Sequence, residues 1–259
     1  MHHLTSMNRV QQFTQSKSES AGQKWLQRHI DHDGFADLNE LVTYDHSIAS
    51  KNVEVFFRNL KEHLLEQILS ADMVIGAVAW ITDLDILMAL AQKETLLVVQ
   101  KEDFLRPDLQ SALTASDKAT LHQAYDALQP FDGRKVPIGP FDQALYPDKL
   151  AHLAPVRSFG YCVPTQMYRV PKMHNKFLAF LQHDENDTYQ PTSVWTGSLN
   201  FTSMSLNSLE NAIVIHDPEI AEAFICEAQI IYLKGDPLNW ESDWINPWTA
   251  RDAVTTEHI

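Results

Sequence analysis

The chain has 259 residues, 44% of them hydrophobic and 21% charged, which is enough apolar material for a sizeable core and excludes global disorder. A formal net charge of −14 argues against a generally sticky nucleic-acid binder, because phosphate contacts need lysine or arginine. The longest apolar run, Met73 to Ile81, is far short of a membrane span, and the polar first twenty residues lack an apolar signal core, so the expectation is a soluble, cytoplasmic protein.

Residues 1–50 read as a polar extension, with Gln23 to Ile30 as a short amphipathic helix and Asp33-Gly34 as a turn. Val53 to Ser70 places Val53, Phe56, Phe57, Leu60, Leu64, Leu65 and Ile68 at helical spacing, which predicts one helix over the whole stretch. Met73 to Ile81 is continuously apolar and predicts a buried strand. Thr82 then reads as an N-cap, with Asp83 and Asp85 as first-turn acids of a helix to about Gln92. Thr95 to Val99 reads as a second strand. Strand, helix and strand within about thirty residues make a βαβ unit with a parallel pair and a right-handed crossover.

Asp103 to Pro130 reads as mostly helical with a break near Pro107. Val156 to Tyr161, Met173 to Leu181, Val194 to Thr196 and Asn211 to His216 read as strands, and Pro218 to Leu233 as a helix. The predicted fold class is α/β: a mixed, largely parallel sheet with helices on both faces, spanning residues 51–235. A tail over 236–259 carries Trp240, Trp244 and Trp248. Cys162 and Cys226 share no metal-ligand spacing and read as thiols rather than a disulfide.

Charge is unevenly spread. Gly133 to Phe180 holds seven basic residues (Arg134, Lys135, Lys149, Arg157, Arg169, Lys172 and Lys176) against two acids, Asp142 and Asp148. If the fold gathers them, they make one basic cleft on an acidic body, which attracts an anionic substrate locally. The alternative is compositional noise.

The chemistry concentrates between Lys172 and Asp217. His174 and Lys176 are two apart, so on a strand both face the same side. After a polar loop come Gly197-Ser198-Leu199-Asn200 and then Glu210. A phosphodiester is anionic and repels nucleophiles, so its cleavage needs an activated nucleophile, donors for the non-bridging oxygens and an acid for the leaving oxygen. Neutral His174 can attack phosphorus, Lys176 supplies fixed positive charge, and Asn200 and Ser198 donate hydrogen bonds. Glu210 is expected to hold the His174 ring in its useful tautomer, as a carboxylate does in a triad. No metal or other cofactor is expected.

His174-x-Lys176, then Gly197-Ser198-x-Asn200-Phe201-Thr202 and Asn207-x-x-Glu210-Asn211, resembles the phospholipase D superfamily, and most of all its compact bacterial members with one motif per chain, nucleases among them. The resemblance implies a metal-independent phosphodiesterase with a phosphohistidine intermediate. The family's leaving-group acid is a second histidine from a second motif, and this sequence contains one His-x-Lys. The resemblance therefore implies a homodimer in which two copies of His174 share a site across a twofold axis. One departure is visible: the family's aspartate five positions after the lysine is Leu181 here.

Three further residues carry two readings each. Trp195 either stacks on a base or fills the core, and core is the commoner fate. Arg169 and Lys172 either grip flanking phosphates or are solvated charges. The expected partner is nucleic acid, DNA before RNA, with no membrane. A phospholipid phosphodiesterase or transferase is the alternative, and a subunit of a defence or restriction assembly is a third.

Overall fold

A computed structural model describes residues 45–102, 105, 113–142, 147–160 and 172–238. The predicted helix over 23–30, Arg169, Cys162 and the tryptophan-rich tail lie outside the described residues. The chain divides into two compact units, Met1–His46 and Ser47–Ile259, and the second is built as follows.

Its elements in chain order are β1 (Ile48–Ala49), β2 (Val53–Phe56), α1 (Leu60–Ser70), β3 (Met73–Val78), α2 (Leu84–Leu90), β4 (Glu94–Gln100), α3 (Ala115–Asp126), α4 (Gly139–Asp142), β5 (Val156–Phe159), β6 (Lys176–His183), β7 (Tyr189–Gly197), α5 (Ser203–Leu206), β8 (Ala212–Ile215), α6 (Pro218–Lys234) and β9 (Asp236–Pro237). The strands form one mixed sheet in the order β1-β2-β8-β7-β6-β3-β4-β5-β9. Among the described residues only β3–β4 and β4–β5 pair in parallel, and the other neighbours are antiparallel. The sheet is thus mixed as expected but not largely parallel. A parallel pair needs a long crossover, and the two parallel pairs are joined by β3→α2→β4 and by the long β4-to-β5 connection. The short turn after β6 instead makes β6–β7 a hairpin.

Both faces of the sheet are covered, and the period-two alternation of the strands decides which residue goes where. Val74 and Val78 of β3, with Leu97, Leu178, Trp195 and Val214, pack beneath Leu64 and Ile68 of α1, Leu87 of α2 and Leu121 of α3. Met73, Ile75 and Ala77 face the other way, with Leu96, Phe177 and Val194, against Ala221, Ile225 and Tyr232 of α6. A strand buried on both faces reads as one continuous apolar run, which is why β3 was legible.

Two boundaries differ from expectation. Val53–Phe56 is a strand rather than the first turn of α1, because it pairs antiparallel with Ala212–Ile215 on β8; Asn59, at φ 52°, separates it from the helix. The N-cap of α2 is Asp83 rather than Thr82, its carboxylate accepting from Ile86 N–H at 3.1 Å. Asp83 and Asp85 are helix-start acids, both held by the Lys61 ammonium at 2.8 and 2.7 Å. Among the described residues no helix is long and apolar enough to cross a membrane.

Candidate active site

Four strand ends meet at one end of the sheet. Val78 at the close of β3 pairs with Lys176 at the start of β6, and Phe177 pairs with Thr196 near the close of β7. Gly197 then pairs with Ala212 at the start of β8. The sequence motif is therefore split over neighbouring strands but lands at a single edge.

His174 precedes β6 and Lys176 opens it. The Lys176 ammonium lies 3.0 Å from Nδ1 and 3.1 Å from Nε2 of His174, and donates to the His174 carbonyl at 3.0 Å. Partial burial first, and then the positive charges of Lys176 and Lys172, hold the His174 imidazole below the ordinary histidine range. A depressed pKa keeps the ring neutral, the form that carries a free lone pair. Burial likewise lowers the Lys176 ammonium, and the negative charge of Glu210 opposes that shift.

The turn after β7 supplies the remaining groups. Ser198 N–H donates to Asn211 O at 3.1 Å, and Asn211 N–H donates back to Ser198 Oγ at 3.1 Å. The Ser198 hydroxyl donates to Glu210. Gly197 is required here by close approach: a Cβ on it would lie 2.2 Å from Asn211 O and 2.9 Å from the Ala212 Cα. Asn200 is half-buried, its backbone carbonyl accepts from Thr202 N–H at 2.9 Å, and its amide oxygen is buried without a hydrogen-bond partner among the described residues. The fold therefore does not consume that amide oxygen.

Glu210 has a different partner from the one expected. Its carboxylate takes the Ser198 hydroxyl rather than a nitrogen of His174, because the turn that carries it folds back on Ser198 while Lys176 occupies the imidazole nitrogens. Trp195 settles as core: it is 0% exposed and stacks on Phe56 with ring centroids 6.0 Å apart, so no base can reach it. Lys172 is exposed and pairs with Glu102 at 3.1 Å.

Among the described residues the basic cleft does not form as a unit. Lys135 is tied to Asp187 at 3.2 Å, beside the turn between β6 and β7 and so at the end of the sheet opposite His174. Arg134 is paired with its neighbour Asp132 at 2.7 Å, and Arg157 lies over the Tyr232 ring and donates to its carbonyl. Of the described cations in that stretch, Lys172 and Lys176 are the two that act on His174 electrostatically. Basic residues close in sequence were split by strands that run to opposite ends.

Sequence reasoning missed Trp80. Its ring stands edge-on to His174, centroids 5.4 Å apart at 77°, and its carbonyl accepts from Phe201 N–H at 3.0 Å, next to Asn200. One residue thus touches both halves of the motif. Its place at the end of a strand aimed at the motif was a usable signal, hidden by the apolar run it closes. Leu181, where the resemblance led one to expect aspartate, is fully buried in β6. Among the described residues no group of three or more His, Cys, Asp or Glu side chains could hold a metal ion. Cys226 is a free thiol.

No protein-family model matches the chain. Among solved structures it resembles Nuc, a phospholipase D family member from Salmonella typhimurium, at 19% identity and a TM-score of 0.45, covering 74% of this chain and 97% of that one. NucT from Helicobacter pylori is similar at 14% identity and a TM-score of 0.44, covering 71% and 98%. In sequence, the uncharacterized protein L381 of Acanthamoeba polyphaga mimivirus is 31% identical over 225 residues, which is 80% of this chain and 75% of that protein. Identity at that level over most of both chains establishes that this chain belongs to the same protein family as mimivirus L381.

Proposed function

We propose that the chain is a phospholipase D-like phosphodiesterase, a metal-independent nuclease whose catalytic domain is residues 51–235. Support comes first from one observation: the Lys176 ammonium within 3.1 Å of both nitrogens of His174, on an imidazole biased toward its neutral form. A phosphate entering the site competes for that ammonium through a non-bridging oxygen and frees Nε2 to attack. The new bond is Nε2–P and the broken bond is P–O to the leaving group. Asn200 donates to the developing charge, and the Ser198 hydroxyl joins it by turning from Glu210 to a phosphate oxygen.

The leaving oxygen takes a proton from His174 of a second copy, which enters the reaction as the imidazolium and leaves it neutral. That imidazole then deprotonates the water that attacks phosphorus and releases His174. The active unit is a homodimer with one shared site, because the sequence holds one His-x-Lys, and its expected location is the cytoplasm. DNA is the expected substrate.

A phospholipid substrate is the second reading. It is favoured by Met204, 81% exposed, and Leu209, 62% exposed, both on the segment joining Asn200 to Glu210, and by how few described cations stand near His174. A panel in EDTA separates the readings, with single-stranded DNA, duplex DNA, RNA, bis(p-nitrophenyl) phosphate and phosphatidylcholine set beside His174→Ala. Cleavage of nucleic acid in chelator, lost in the variant, is the expected result. Lipid turnover alone supports the second reading. A folded His174→Ala protein with full activity overturns both, and silence on every substrate points to a subunit of a larger defence or restriction assembly.

A further inference from the structure

Gln100 closes β4, is 1% exposed, and reaches the segment that carries His174. Its backbone N–H donates to Ala79 O at 3.1 Å. Its side-chain oxygen accepts from Met173 N–H at 2.8 Å, and its Nε2 donates to Lys101 O at 3.2 Å. Ala79 N–H in turn donates to Asn175 O at 2.8 Å. The two residues flanking His174 are therefore held by Gln100 and by Ala79, which are hydrogen-bonded to each other. His174 projects from a closed ring of backbone and amide contacts.

The space for that amide is made on the other side by Gly160. This glycine has φ 91°, and a Cβ there would stand 2.6 Å from Nε2 and 2.8 Å from Oε1 of Gln100. A buried primary amide is costly unless both ends are bonded. Here the acceptor end goes to the residue before the reacting imidazole, and the donor end goes to the end of β4. Met173 is itself buried, so the turn into β6 is clamped by side chain and backbone together.

Resting on the reading of His174 as the reacting group, we propose that Gln100 is a positioning residue: it fixes the backbone from which His174 meets Lys176 and the substrate. It touches neither substrate nor reacting atoms. Leucine at this position matches its volume, leaves Met173 N–H unpaired and frees the 172–175 segment. Displacements of about 1 Å at a reacting group cost up to roughly 100-fold in rate.

The test uses the full chain as Gln100→Leu and Gln100→Glu, the latter keeping an oxygen for Met173 N–H and, as the protonated acid favoured by burial, an O–H for the Lys101 carbonyl. With bis(p-nitrophenyl) phosphate, Gln100→Leu is expected to lower kcat by roughly 10- to 100-fold with KM within about twofold, and Gln100→Glu to recover much of that loss. Wild-type kcat in a folded Gln100→Leu protein, loss through KM alone, or equal loss in both variants overturns the inference. Amide exchange at Met173 and the ring resonances of His174, read without substrate, keep this test apart from the activity itself. If the wild type cleaves nothing, faster exchange and shifted resonances in Gln100→Leu still support positioning, and unchanged ones overturn it.

Discussion

The Lys176 ammonium stands 3.0 Å from His174 Nδ1 and 3.1 Å from Nε2, so one cation faces both nitrogens of the imidazole at once. A positive charge at that distance disfavours a second one on the ring, and under the proposed function the lysine is the cation that meets the phosphate.

The first consequence is a pH dependence. Burial and then Lys176 and Lys172 depress the His174 pKa, so the acid limb of kcat/KM falls below the ordinary histidine value. Lys176→Met is expected to move the His174 titration, followed by NMR, upward part of the way, since burial remains. In stability the sign is the same: the unfolded chain binds this proton more readily, so the contribution is present above the ordinary histidine pKa and is lost as pH falls through the window down to the folded value. A titration unmoved by Lys176→Met refutes the coupling.

Asn200 and Ser198 separate two kinds of loss. Asn200→Ala is expected to lower kcat by about 10²–10³, the effect of removing one donor to developing charge, with a nearly unchanged melting midpoint. Ser198→Ala leaves the Glu210 carboxylate and Asn211 N–H without their hydroxyl partner, and hydrogen bonds to charged groups contribute about 1.5–3 kcal/mol. It should lower both kcat and the urea midpoint, and a kinetic effect with wild-type stability would count against the hairpin role of that hydroxyl.

Gly197→Ala probes the close approach of β7 to β8. The added Cβ meets backbone at 2.2 Å, which no rotamer change can relieve. Overpacking of this sort costs about 1–3 kcal/mol or more, and it displaces Ser198 and Asn200 as well. The expected outcome is a lowered denaturation midpoint together with lost activity; an active protein of wild-type stability would show that the strands separate easily here.

Trp195 and Trp80 should behave oppositely. Trp195→Ala empties a fully buried position and is expected to cost about 3–5 kcal/mol of stability by urea unfolding, with KM of the folded fraction unchanged. Trp80→Leu, beside His174, is expected to change kinetics more than stability. A raised KM in the Trp195 variant would return that ring to the cleft.

The position of the cations predicts salt behaviour on a nucleic-acid substrate. Lys172→Ala should reduce the salt dependence of binding by about one unit of slope, as removal of one phosphate contact does. Lys135→Ala should leave it unchanged, because that ammonium stands beside Asp187 at the other end of the sheet from His174, whereas Lys172 acts on His174 itself. Equal effects of the two would restore a continuous basic track.

The motif was legible because its chemistry is local. His174 and Lys176 lie two residues apart, and Ser198 and Asn200 share one turn, so each pair needs only a strand end and a tight turn to be brought together. The strands buried on both faces, β3 and β4, were legible for a similar reason: their continuous apolar runs report a complete loss of solvent contact. Val53–Phe56 was misread because helical spacing continues through it, whereas it pairs along its whole length with β8, more than 150 residues away in sequence, and at its other edge with the two-residue β1.

What the sequence by itself determined is the candidate set of polar groups, their order, and a core large enough to hold them. Tertiary structure alone decided that most neighbours pair antiparallel, that Glu210 meets Ser198, that Lys135 is carried away from the site, and that Trp80 and Gln100 are brought to His174. Each of these depends on which strand lies beside which and at what register. Pairing across the sheet joins residues far apart along the chain, and no local periodicity records those partners.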